Sequence, residues 1–174
     1  EALPMQVSTD KMIGKKDGPI GWMTFNNPER RNAMSLEMWE GVGEIMAEFQ
    51  ADENIRVVVM HGAGDKAFVS GADISQFEKM RADAAMTEKY NARAEAGRRA
   101  IRDFDRPIIA MIRGFCMGGG LGVAMSADLR FAAEGSTFGI PAARLSIAYT
   151  GDNIVNLYNL VGPSRAKDIL YSAR

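Results

Sequence analysis

A chain of 174 residues, 47% apolar and 25% charged, has room for one domain with a substantial core. Its net charge of −1 offers no field for nucleic acid, and the nearest thing to a basic block, Arg98-Arg99, reads as a solvated helical face. No apolar run approaches the ~20 residues of a membrane span, no signal-peptide pattern opens the chain, and a single cysteine suits a reducing, cytoplasmic setting.

The chain opens at Glu1 rather than Met, which suggests a trimmed or fragmentary N-terminus. Residues 11–16 and 20–25 flank Asp17-Gly18 and predict a hairpin, which Asn26-Asn27-Pro28 terminates. Ser35 is placed to cap a helix over 36–49, with Met38, Val42, Ile45, Met46 and Phe49 at helical spacing. The β-branched run 55–60 predicts a strand buried on both faces, ended by His61-Gly62-Ala63-Gly64-Asp65. Residues 68–74 read as a loop containing Gly71, and 82–104 as a helix stopped by Pro107.

The apolar run Ile108 to Ile112 leads through Arg113-Gly114 to Met117-Gly118-Gly119-Gly120-Leu121-Gly122, which predicts strand, tight turn, helix. The first N–H groups of such a helix have no internal partner and, with the helix dipole, suit an anionic or carbonyl oxygen. Cys116, within this apolar and glycine-rich segment, reads as a small buried filler rather than a nucleophile. A short strand over 129–133 follows, then helices over 154–160 and 164–172 separated by Gly162-Pro163. Strands alternating with helices indicate an α/β fold with mainly parallel pairing.

Four segments in order resemble the crotonase, or enoyl-CoA hydratase/isomerase, superfamily. Asn27-Pro28-Glu29-Arg30-Arg31-Asn32-Ala33-Met34 is similar to its early N-x-P-x-x-x-N-A motif, and Ala67-Phe68-Val69-Ser70-Gly71-Ala72-Asp73-Ile74 to its F-x-x-G-A-D-[IL] loop. Gly114 to Gly120 resembles its G-x-x-x-G-G-G turn, and Gly162-Pro163-Ser164-Arg165-Ala166-Lys167 its later V-G-x-x-R-A-K segment.

The resemblance implies a single crotonase-like core domain over 1–174, folded as a spiral of ββα turns with two roughly perpendicular sheets ringed by helices. It implies a missing C-terminal helical segment, because members continue with one that closes the acyl pocket and builds trimers. The implied substrate is an acyl- or enoyl-CoA thioester, with no cofactor beyond that coenzyme A, and the implied assembly a homotrimer or hexamer. Its carbonyl oxygen would accept the backbone N–H groups of Ala72 and Gly119, which stabilise an enolate. Backbone around Ser70, Ala72, Asp73 and Ile74 would hold the adenine, the Ala33 region would contact the CoA chain, and Arg30 or Arg31 would face phosphates or remain surface charge.

The chain departs from the hydratase pattern at both proton-transfer glutamates, which fall at Gly122 and Ala142. Neither moves a proton, and general acid–base catalysis is worth roughly 10²–10⁴-fold. A third acidic position of some relatives falls at Thr150. Asp152 is the nearest substitute, read either as the N-cap of the final helix or as a catalytic acid or base. Tyr149 and Arg144 are weaker candidates for reaching the implied acyl pocket, Glu78 reads rather as a solvated helix residue, and the single histidine, His61, reads as structural. A dinucleotide site and a serine hydrolase both fail on motif spacing. Two readings stay open: an atypical enzyme on a CoA thioester (isomerase, decarboxylase or hydratase-like lyase), and a non-catalytic acyl-CoA-binding homologue.

Overall fold

The computed structural model describes residues 5–73 and 84–174. Strands β1 (Met12–Asp17) and β2 (Ile20–Phe25) form the antiparallel hairpin, in register from Met12 opposite Phe25 to Asp17 opposite Ile20. Helix α1 (Leu36–Ala51) begins at Ser35, whose hydroxyl accepts the Met38 N–H at 3.3 Å. Its predicted apolar stripe is buried in full, together with Trp39.

Three ββα turns follow. Strands β3 (Val57–Gly62) and β4 (Ala67–Val69) precede α2 (Ala84–Arg102). Strands β5 (Ile108–Ile112) and β6 (Phe115–Met117) precede α3 (Gly119–Met125). Strands β7 (Leu129–Ala132) and β8 (Thr137–Gly139) precede α4 (Gly151–Ser172). The first strand of each turn joins a five-stranded sheet in the order β1-β2-β3-β5-β7, and the second joins a three-stranded sheet in the order β4-β6-β8. All pairs except the hairpin are parallel. The core lies where α1 meets the larger sheet, around Met23, Phe25, Ile45, Phe49, Val58 and Met60.

Several elements differ from expectation. Residues 67–69 form a strand with all three side chains buried, where a loop was expected from residue 68. The chain does not run straight from β5 into the glycines: it turns at Gly114 (φ +70°) and enters the second sheet as β6. Strand β8 was not foreseen. Strands of three residues are too short to show a period-two pattern. Strand β3 starts at Val57 and includes His61 and Gly62. The final two helices part at Gly162 (φ 77°, ψ 167°) ahead of Pro163, as expected, but the first of them starts earlier, at Gly151. Its N-cap is therefore Thr150 and not Asp152, which lies in the first turn where a negative charge suits the helix dipole.

Candidate functional site

Parallel neighbours β4, β6 and β8 deliver their carboxyl ends to the same edge of the small sheet, the edge where open parallel sheets bind ligands. The chain leaving β6 passes Gly118, at φ 52° and ψ −119°, a conformation that L side chains resist and glycine accepts. Its N–H donates to the Gly139 carbonyl at the end of β8, at 2.8 Å. Helix α3 then starts against β4 so closely that a Cβ on Gly120 would stand 2.1 Å from the Val69 carbonyl oxygen. Only glycine lets the helix start meet the end of β4 in this way.

The loop after β4 is strapped to the segment before α1. Ser70 N–H donates to Arg31 O (3.1 Å), Met34 N–H to Gly71 O (2.8 Å) and Asp73 N–H to Met34 O (2.9 Å). Alternation along this bridge turns the Ala72 N–H away from Met34, and it has no hydrogen-bond partner among the described residues. The Ala72 nitrogen lies 3.9 Å from the position a Cβ on Gly119 would take. Gly119, first residue of α3, also has an N–H without a partner among the described residues. Two backbone donors without partners among the described residues, from consecutive turns of the spiral, thus lie close together.

Asn32 supports this arrangement. Its fully buried amide donates to Ala63 O (3.0 Å) and Ala67 O (2.8 Å) and accepts the Asn27 N–H (2.9 Å). Its importance was not drawn from the motif, because the two carbonyls that accept from it stand more than thirty residues away. Of the expected coenzyme A contacts, Arg30 pairs with Asp73 at 3.2 Å and keeps its side chain 56% exposed. Ser70 is half-buried and Ala33 is buried. Arg31 lies over the Phe115 ring, 4.9 Å from its centroid. Ile74 and Glu78 lie outside the described residues.

The other candidates separate. Gly122 is buried on α3 and faces the Asn153 side chain, while Ala142 packs against the core from a 3-10 turn over Pro141–Leu145. Tyr149 reaches the glycine turn: its hydroxyl donates to the Gly118 carbonyl at 2.9 Å, and burial raises its pKa. Asp152 does not reach the turn. Its carboxylate, 74% exposed, pairs with Arg102 at 3.2 Å in a cleft of about 430 Å³ also lined by Arg98, Met125, Ser126 and Asn153. Met125 and Ser126 mark the end of α3 opposite Gly119.

Cys116 is fully buried, and desolvation pushes its thiol to about 12, so it is not a nucleophile. His61 is structural. Its Nε2 is 2.8 Å from the Thr24 hydroxyl, its Nδ1 is 3.3 Å from Gly62 O, and it meets Trp22 edge-on at 5.7 Å. Among the described residues no cluster of three His, Cys, Asp or Glu side chains suits a metal, and no helix is long and apolar enough to cross a membrane.

Residues 15–174 match the family model described as enoyl-CoA hydratase/isomerase. The chain is 31% identical to a short-chain-enoyl-CoA hydratase of Clostridium acetobutylicum, aligned over 95% of this chain and 62% of that protein. It is 30% identical to a carnitinyl-CoA dehydratase of Salmonella enteritidis, over 91% of this chain and 59% of that protein. Among solved structures, an enoyl-CoA hydratase/carnithine racemase from Magnetospirillum magneticum superposes with a TM-score of 0.90 at 36% identity, covering 96% of this chain and 62% of that one. The chain therefore spans about three-fifths of the length of these relatives. Matching sequence over nearly all of its length and the same ββα spiral place this chain in the enoyl-CoA hydratase/isomerase family.

Proposed function

We propose that the protein is an enzyme acting on an acyl- or enoyl-CoA thioester, whose carbonyl oxygen it polarises towards an enolate between the N–H groups of Ala72 and Gly119. The closeness of those two donors, neither with a partner among the described residues, is the observation that carries this reading. Losing one donor of such a pair typically costs about 2.7–4 kcal/mol of barrier. Relatives whose names specify hydration or dehydration of CoA thioesters support the substrate class.

With Gly122 and Ala142 at the two proton-transfer positions, simple enoyl hydration is not the chemistry this chain favours. A step that generates the enolate with little help from a base, such as loss of CO₂ from a β-carboxyl thioester, makes fewer demands on these residues. Backbone at Ser70, Ala72 and Asp73 and the Arg30 guanidinium are offered as the coenzyme A contacts. Assembly into trimers or hexamers belongs to the same reading. Exposed Met111, Leu129 and Phe131 on neighbouring strands of the large sheet support it.

The test is infrared spectroscopy of butyryl-CoA carrying ¹³C at its carbonyl, with turnover of crotonyl-CoA measured beside it. The bound carbonyl stretch is expected to move to lower wavenumber than in free ligand, and crotonyl-CoA is expected to be hydrated poorly or not at all. Binding with an unmoved carbonyl would overturn the oxyanion reading. A shifted carbonyl with no turnover of any acyl-CoA, malonyl-type thioesters included, would leave a binding protein.

A further inference from the structure

The peptide unit between Gly118 and Gly119 has two working ends. Its N–H is the donor offered to the thioester. Its carbonyl, trans to that N–H across a planar peptide, points the opposite way. On that side lies Tyr149, whose hydroxyl donates to the Gly118 oxygen at 2.9 Å. The same oxygen also accepts the Gly122 N–H at 3.1 Å.

We propose that Tyr149 is a positioning residue for the oxyanion site. By holding the Gly118 carbonyl, it fixes the plane of the 118–119 peptide and sharpens the Gly119 N–H as a donor. The inference rests on the oxyanion reading above and adds a part to it.

The local backbone shows why such a tether matters. Gly118 has no side chain to restrict its ψ, and Gly119 is a second glycine, so a compensating rotation about these two torsions turns the intervening peptide plane at little steric cost. The Gly118 N–H is anchored on β8, which holds the preceding peptide rather than this one. The Gly122 bond belongs to the first turn of a seven-residue helix, and on its own it is a weak restraint. A hydroxyl that enters from outside the helix supplies the second point needed to define a plane.

The tether also acts electronically. An amide that accepts a hydrogen bond at its oxygen becomes a better donor at its nitrogen, because hydrogen-bonded chains polarise one another. Tyr149 is suited to the task. It packs against the core, and desolvation raises its pKa, so it remains a neutral donor across the working pH range. The chain brings it there deliberately: after the turn over Pro141–Leu145, Ser146 adopts a left-handed φ of 52° and the path returns to the glycine turn before α4 begins.

The test compares wild type, Tyr149→Phe, and protein with a fluorinated tyrosine at position 149, using the infrared band of bound carbonyl-labelled butyryl-CoA. Tyr149→Phe is expected to reduce the displacement of the thioester carbonyl by about half, since one of two donors loses its alignment and polarisation. The fluorinated ring keeps the shape and donates more strongly, so the displacement should grow beyond wild type. That increase would not follow from a packing role. An unchanged band in both variants would overturn the proposal. If Tyr149→Phe fails to fold, the fluorinated protein decides alone. Absence of a shift in wild type would count against the oxyanion reading itself, whatever Tyr149 does.

Discussion

The side chain of Asn153 occupies the space in front of Gly122: its Nδ2 lies 2.4 Å, and its Cγ and Oδ1 each 2.8 Å, from where a Cβ on Gly122 would stand. The position that the family resemblance assigns to a proton-transfer glutamate is thus filled from the first turn of α4, by an amide that is itself buried.

Restoring that glutamate alone should therefore fail. Gly122→Glu is expected to destabilise the fold by about 1–3 kcal/mol through overpacking. Adding Asn153→Ala, which removes all three obstructing atoms, should recover most of the loss. Denaturant midpoints of both single variants and the double variant give the coupling directly. Additive losses would mean that the two side chains do not compete.

Gly120→Ala places its methyl carbon against the Val69 carbonyl, a backbone atom that cannot step aside. We expect a loss of about 2–3 kcal/mol in thermal or chemical denaturation. In whatever fraction stays folded, α3 is pushed off β4, so the carbonyl shift of bound thioester should weaken. Wild-type stability would show that the helix start has slack.

His61 makes stability depend on pH with a definite sign. Burial lowers its pKa from 6.5, so the folded state binds this proton less readily than the unfolded chain. Its contribution is fully present above about pH 6.5 and is lost as pH falls towards the folded-state pKa. Melting temperatures measured down through this window should fall less steeply for His61→Gln than for wild type. Parallel curves would show that other groups set the acid limb.

Asp152 tests a division between the site and the surface. Its carboxylate faces solvent against an Arg102 that is itself 48% exposed, and such pairs contribute below about 1 kcal/mol. Asp152→Asn should leave both stability and acyl-CoA turnover close to wild type. If turnover is abolished while thioester affinity persists, this carboxylate is a proton-transfer group and the exposed position is not its working one.

Much of the scaffold was legible because it depends on local chemistry. Asp17-Gly18 announced the hairpin, Ser35 announced a capped helix, and Gly162-Pro163 marked the break in the last one. The donors proposed at Ala72 and Gly119 come from motif resemblance and the physics of a helix start. What stayed hidden depends on distance along the chain. Strands β4, β6 and β8 take their character from a sheet assembled out of three separate turns. The meeting of Asn153 with Gly122 joins residues whose proximity no local pattern encodes. The N-cap fell at Thr150 rather than Asp152 because the helix begins at Gly151, a residue of poor helical propensity.

The spiral divides labour along the chain. The two carbonyl donors come from the ends of β4 and β6, whereas Ala142, Tyr149 and Asn153 all follow β8. The segments after the earlier turns of the spiral and the segment after β8 are joined by the contact of Tyr149 with Gly118 and of Asn153 with Gly122. Exchanging the stretch from Ile140 to Asn153 would therefore disturb the glycine turn as well, unless Tyr149 and its bond to the Gly118 carbonyl were kept.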